Sequence, residues 1–149
     1  MKTAPVLHSK ILLINRNRDG LLVRGQLLEE LGYRVAVAQT SEEGLTLFEA
    51  SSFDLVVADY RLPRINGIEL TLRIRKIDPQ ARVILLSGQV EALNLTTETT
   101  AADAVLAKSA GEPAQLARTI KRLLNRPALR KPPASQKLPA PKAAKTAAG

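Results

Sequence analysis

The stretch 56-VVADYRLPRING-67 ends an apolar run on a single carboxylate, Asp59, then leaves regular patterning through Pro63 and Gly67. Its first residues continue the run begun in 54-DLVVAD-59, a short apolar segment of the kind that forms a strand buried on both faces. After the loop, 67-GIELTLRIRKI-77 reads as a helix with Ile68, Leu72 and Ile77 on its apolar side. An acid at the tip of a buried strand raises the question of which groups surround it.

The same alternation extends in both directions. Upstream, 10-KILLIN-15 is a strand, and 20-GLLVRGQLLEELG-32 a helix with Leu21, Leu22, Leu28 and Leu31 at helical spacing. Gly32 would cap its C-terminus. The second strand is 33-YRVAVA-38, followed by the helix 40-TSEEGLTLFEASS-52, where Thr40 and Glu43 stand at capping-box spacing. Downstream come the strand 82-RVILLS-87, a weak helix in 90-VEALNLTTETT-100, the strand 103-DAVLAK-108 and a final helix in 112-EPAQLARTIKRLL-124. The weakness of the Thr-rich segment follows from low helix propensity, and Pro113 is tolerated in a first turn. Strands separated by helices imply right-handed crossovers and a parallel sheet, so the expected fold is α/β, a doubly wound five-stranded sheet.

Composition narrows the chemistry. With 45% hydrophobic and only 3% aromatic residues, the core must be built from Leu, Ile, Val and Ala. Cysteine is absent, which removes disulfides, thiolate metal sites and cysteine nucleophiles. His8 is the one histidine, which removes histidine zinc sites and most Ser-His chemistry. No stretch approaches the ~20 apolar residues of a membrane span, so a cytoplasmic protein without membrane attachment is expected. The net charge of +8 is uneven: Arg130, Lys131, Lys137, Lys142 and Lys145 follow Pro127 without any acid, and that segment also holds five of the nine prolines. The expected organisation is an N-terminal arm over 1–9, one domain over 10–125, and a disordered basic Pro/Ala/Lys-rich tail over 126–149.

In doubly wound folds the working crevice lies beyond the carboxyl ends of the strands. The residues there are Asn15 and Arg16, Asp59, Ser87 and Gly88, and Lys108. Taken singly, a strand-ending Asp is a turn residue, a Ser before Gly turns the chain, and a Lys after a strand is solvated. Their joint placement after the third, fourth and fifth strands points to a phosphoryl-acceptor site. A carboxylate can be a nucleophile toward phosphorus, and the product needs cations and donors on its equatorial oxygens. Asp59 would be the acceptor, with Lys108 and Ser87 as the phosphate contacts.

These residues carry a family resemblance. From about Lys10 to Leu124 the chain resembles a response-regulator receiver domain, CheY-like, with the flavodoxin-like (βα)5 fold. In 53-FDLVVADYRLPRINGIEL-70 the acceptor Asp59 has Pro63 four and Gly67 eight positions on; 81-ARVILLSG-88 carries the hydroxyl residue and 102-ADAVLAK-108 the lysine. The resemblance implies a two-component phosphorelay module, a phosphoprotein rather than an enzyme, that docks a histidine kinase, a phosphotransfer protein or an output protein. It also implies an output surface on the fourth helix, fifth strand and fifth helix.

The pattern fails where that family places two adjacent acids to hold Mg²⁺ with the acceptor. Asn15 and Arg16 stand there, and Asp19 is expected to cap or begin the first helix. Mg²⁺ prefers charged oxygen ligands, and at ~4 Å with an effective dielectric of ~20 one unit charge is worth about 4 kcal/mol. Metal binding is therefore expected to be weak, with no metal site assigned. Either Arg16 pairs with Asp59 or it points to solvent. Ser109 replaces the family's proline after the lysine, and Val105 its aromatic switch residue. Arg61 occupies the place where related hydrolases carry a general acid, and Arg61 and Arg64 flank the pocket mouth. The expected function is a protein-binding receiver module with impaired Mg²⁺-dependent phosphorylation. The alternatives are a working phosphoacceptor at Asp59 and nucleic-acid binding by the basic tail. The tail lacks aromatics for stacking and no helix-turn-helix follows the last helix, which argues against nucleic acid as a partner.

Overall fold

The computed structural model describes residues 9–125. Five strands and five helices alternate: β1 (Lys10–Ile14), α1 (Arg18–Glu30), β2 (Arg34–Ala38), α2 (Ser41–Ala50), β3 (Leu55–Asp59), α3 (Gly67–Ile77), β4 (Val83–Ser87), α4 (Thr97–Thr100), β5 (Ala104–Ala107) and α5 (Glu112–Leu124). All neighbouring strands pair in parallel, in the order β2-β1-β3-β4-β5. This is the expected doubly wound, flavodoxin-like α/β fold, with β3 at its centre between β1 and β4. Among the described residues no helix is long and apolar enough to cross a membrane. His8, most of the N-terminal arm and the basic tail lie outside the described residues.

Side chains alternate across each strand, and the sheet therefore builds two cores. Ile11, Leu13, Leu55, Val57, Ile84 and Leu86 face α1 and α5, meeting Leu21, Leu28, Leu116, Ile120 and Leu123. Leu12, Ile14, Val56, Ala58, Val83 and Leu85 face the other way, meeting Phe48, Leu70 and Ile74 of α2 and α3. The continuous apolar runs of β3 and β4 are buried at every position.

Local signals act largely as the sequence implies. Gly32, at φ 100°, ends α1: its N–H donates to Glu29 and that of Tyr33 to Leu28, at 3.0 and 3.1 Å. This is the Schellman pattern, which favours glycine. Thr40 caps α2 by accepting from the Glu43 N–H at 3.0 Å, while the Glu43 carboxylate accepts from the Gln39 N–H. At the start of α1 the cap is Asn17, which accepts from the Gly20 N–H at 3.2 Å; Asp19 lies in the first turn.

Helix faces differ from expectation. Leu22 of α1, Leu31 at its C-cap, and Leu72 and Ile77 of α3 are exposed, and Leu70, Thr71 and Ile74 supply the buried face of α3 with Gly67. At 3.6 residues per turn, Leu72 lies roughly 200° around the helix from Leu70. The Thr-rich segment is also shorter than a helix over 90–100: turns run through Gly88–Asn94 and only Thr97–Thr100 is helical. Thr96 and Thr99 cap each other there, and Ala101 stops the turn at φ 68°. Side-chain oxygens competing for local backbone N–H groups favour such caps over a continuing helix.

Gly67 joins the fold to the site. Its N–H donates to the Tyr60 carbonyl at 2.7 Å. A Cβ there would lie 2.9 Å from the Tyr60 Cα and 3.0 Å from the Asp59 carbonyl oxygen, both backbone atoms that cannot swing aside. The close approach explains a glycine eight residues after Asp59. Gly67→Ala is expected to destabilise the domain by about 1–3 kcal/mol, the usual cost of overpacking. A urea midpoint equal to that of the wild type would contradict this.

Candidate functional site

The ends of β3, β4 and β5 converge on one cavity of about 450 Å³, lined by Arg16, Asp59, Arg61, Leu86, Ser87, Gly88, Gln89 and Lys108. The parallel register produces this convergence, because Asp59 pairs with Leu86 and Ser87 with Ala107. Asp59, Ser87 and Lys108 thus meet although 28 and 21 residues separate them in the chain.

Asp59 is 4% exposed. The Lys108 Nζ lies 2.8 Å from its Oδ1 and 2.9 Å from its Oδ2 and donates to Oδ2. Oδ1 is thus met by the ammonium as an ion pair, outside hydrogen-bond geometry. A buried carboxylate retains its charge only when paired, and Lys108 supplies that charge from above, its own side chain 37% exposed. Ser87, also buried, accepts from the Gln89 N–H at 3.0 Å. This serine turn places Gln89 where its Oε1 accepts from the Arg61 guanidinium, a contact that links the β3 and β4 loops across the cavity. Pro63 is half-buried in the β3 loop.

Asn15 and Arg16 part company. Asn15 is buried, and its Oδ1 accepts from the Asn17 N–H at 2.8 Å, so the carbonyl that could face the cavity closes the β1–α1 loop. Arg16 lines the cavity but makes no ion pair among the described residues; the cation bonded to Asp59 is Lys108. Of the two arrangements open to Arg16, pairing with Asp59 is not the one adopted: a lysine reaching down from β5 already covers both carboxylate oxygens. Arg64 also leaves the site. At φ 70° it turns toward α2, where its Nε donates to Glu42 Oε2 at 2.7 Å. That hydrogen bond holds the Glu42 carboxyl below its ordinary range, but both groups are exposed and such pairs contribute little to stability.

The donor set does not fit Mg²⁺. Among the described residues no three acidic or histidine side chains gather to hold a metal ion. Asp59 is the one carboxylate on the cavity, Asn15 has turned away, and Arg16, Arg61 and Lys108 place three cations there. A dication prefers several negative oxygens and is repelled by this set.

Sequence reasoning singled out Asp59, Ser87, Lys108, Arg16 and Arg61, all of which line the cavity. It missed Gln89, whose signal was a serine two residues earlier, spaced to accept its N–H. It also missed a buried ion pair between α1 and α5. Arg24 Nη2 lies 2.6 Å from Glu112 Oε1, with side chains 15% and 5% exposed. After β5 the backbone is regular: among the described residues no peptide bond is cis, Lys108–Ser109 included.

Residues 11–121 match the response regulator receiver domain. A response regulator receiver protein of Anaeromyxobacter sp. strain Fw109-5 is 32% identical over 81 residues, 54% of this chain and 34% of that protein. The virulence sensor protein BvgS of Bordetella bronchiseptica is 37% identical over 71 residues, 48% of this chain and 6% of BvgS. The chain thus spans about a third or less of the length of these curated relatives. Among solved structures, a CheY-like receiver domain protein from Methanospirillum hungatei is 30% identical with a TM-score of 0.72, covering 79% of this chain and 94% of that one. The response regulator TrrA of Thermotoga maritima, solved with Mg²⁺ and BeF, is also 30% identical, at a TM-score of 0.69, covering 77% and 98%.

Proposed function

This chain belongs to the response regulator receiver family, a family of two-component signalling modules, and from that premise we propose that it acts as a protein-docking receiver in which Mg²⁺-dependent phosphorylation is impaired. One observation carries the reading: Lys108 covers both oxygens of Asp59 at 2.8 and 2.9 Å while Arg16 lines the cavity in place of an acid. The protein's own cations stand around the single carboxylate of the pocket. The partners would be a histidine kinase, a phosphotransfer protein or an output protein. They would meet a face of β5 and α5 on which α4 is reduced to one turn. Val105, half-buried on that face, has no ring to move between buried and exposed positions.

A small-molecule phosphodonor with millimolar Mg²⁺ is expected to leave the wild-type chain unlabelled by intact mass, like Asp59→Asn. An acyl phosphate on the wild type and not on Asp59→Asn would sink the docking reading. It would establish instead the alternative, a phosphoacceptor at Asp59. That alternative draws on the meeting of Asp59, Ser87 and Lys108 at one cavity.

A further inference from the structure

The edge of the sheet opposite β5 is formed by β2, and among the described residues no strand lies outside it. The Arg34 N–H and the Ala38 carbonyl both bond toward β1. By the alternation of a strand, the N–H and C=O groups of Val35 and Val37 therefore point outward. Such a row is a template for another strand. The usual guards are thin: β2 holds no proline, and Arg34 is its one charged residue. On the face that carries α1, Leu22 and Val37 are 57% and 46% exposed. With Arg18 and Leu21 they line a groove of about 310 Å³ between α1 and β2. At about 100° per residue, Arg18, Leu22 and Glu29 fall within ~40° of one another on α1. Arg24, which reaches α5, lies at least ~120° from all three.

The charges at the two ends of this stripe complement each other. Arg18 and Glu29 are exposed and make no ion pair among the described residues. Each also opposes its own helix, because the macrodipole favours acids near the N-terminus and bases near the C-terminus. The last turn of α1 contains no base. Two antiparallel copies of α1 reverse the penalty, since each cationic start then meets an acidic end. We propose that β2 and the adjoining stripe of α1 form a two-fold interface with a second copy of this chain. A two-fold axis through Ala36 pairs Val35 of one copy with Val37 of the other, and each such pair exchanges both N–H···O bonds. Leu22 and Val37 line the same groove, and one step along the strand, about 3.4 Å, equals about two helical residues. Residue 24 of α1 therefore lies level with Ala36, and the same axis brings Arg18 to the Glu29 end of the second α1. Strand register and helix charge thus select one symmetry. The apolar strips of Leu22, Val35 and Val37 join into a single face. The proposal is independent of the state of Asp59 and of the docking face on β5, at the other edge of the sheet.

Sedimentation equilibrium of the full chain from about 1 μM to about 1 mM is expected to show a reversible monomer–dimer equilibrium. Amide hydrogen exchange at Val35 and Val37 should slow as the dimer forms. Val37→Lys, at an exposed position, sets like charges across the axis and should weaken the dimer about tenfold or more. Arg18→Glu and Glu29→Arg should each weaken it by a similar factor, because each homodimer then places like charges at both cross-pairs. Mixing these two variants restores opposite charges at both cross-pairs, so the mixture should associate about tenfold more tightly than either variant alone. Both substitutions suit the dipole of α1 better than the native residues do, and unchanged urea midpoints would separate their effect from misfolding. A monomer throughout the range, a dimer indifferent to Val37→Lys, or a mixture no tighter than its components would overturn the proposal. Slow exchange at Val35 and Val37 in the monomer would assign the edge to another segment of the chain and would overturn it as well.

Discussion

Converting Asn15 and Arg16 together to aspartate is expected to raise Mg²⁺ affinity at least about a hundredfold, which corresponds to about 2.7 kcal/mol. The change replaces a neutral amide and a cation by two anions, three units of charge in all, beside a cavity that holds one carboxylate and three cations. At an effective dielectric of ~20 each unit at ~4 Å is worth about 4 kcal/mol. Solvent at the exposed position 16 reduces that figure, and Lys108 still competes for Asp59, so a hundredfold is a lower bound. The carboxylate introduced by Asn15→Asp could keep the bond to the Asn17 N–H with one oxygen and offer the other to the ion. Calorimetric titration of the wild type and the double variant with Mg²⁺ measures the difference. Equal affinities would show that the charge of this pocket is not what opposes the metal, and the docking reading would lose its physical basis.

Arg24→Met is expected to cost about 3 kcal/mol, at the lower end of the usual loss on breaking a buried ion pair. The substitution strands Glu112, whose side chain is 5% exposed and whose two oxygens lie 2.6 and 3.3 Å from the Arg24 guanidinium nitrogens. Two features temper the loss. Glu112 opens α5, where the helix dipole favours a negative charge. Methionine also keeps much of the arginine's apolar packing. Pairing Arg24→Met with Glu112→Leu should recover most of the stability, because two apolar groups leave no charge unpaired. Urea denaturation of the single and double variants distinguishes this from a general packing defect. A single variant as stable as wild type, or a double variant worse than the single, would refute it.

Both predictions depend on partners brought together by the fold, and the boundary of what the sequence reveals falls there. The alternation of apolar runs with helical patterns specified the parallel sheet. Periodicity is local, and each run has to bury its own faces. The same reading placed Asp59, Ser87 and Lys108 at strand ends, and parallel pairing carries every strand end to one edge. Helix faces were less legible. The apolar residues of α1 and α3 occur on more than one side, and only packing against the sheet chose Leu70 and Ile74 over Leu72 and Ile77. In the Thr-rich segment low propensity was visible, but the collapse to a single turn depended on Thr96 and Thr99 satisfying each other's backbone groups.

By itself, then, the sequence determined the order of elements, the class of fold, the acid at the tip of β3 and the loss of the two acids after β1. Each of these is written in residue identity and short-range pattern. Only the tertiary structure decided that Lys108, 49 residues away, neutralises Asp59 while Arg16 lines the same cavity without an ion pair among the described residues. It also decided that Asn15 turns back to the Asn17 N–H and that Arg24 reaches Glu112 across 88 residues. A charged side chain pairs with whatever counter-charge its stem can reach after the backbone has packed, and that distance is not a property of spacing along the chain.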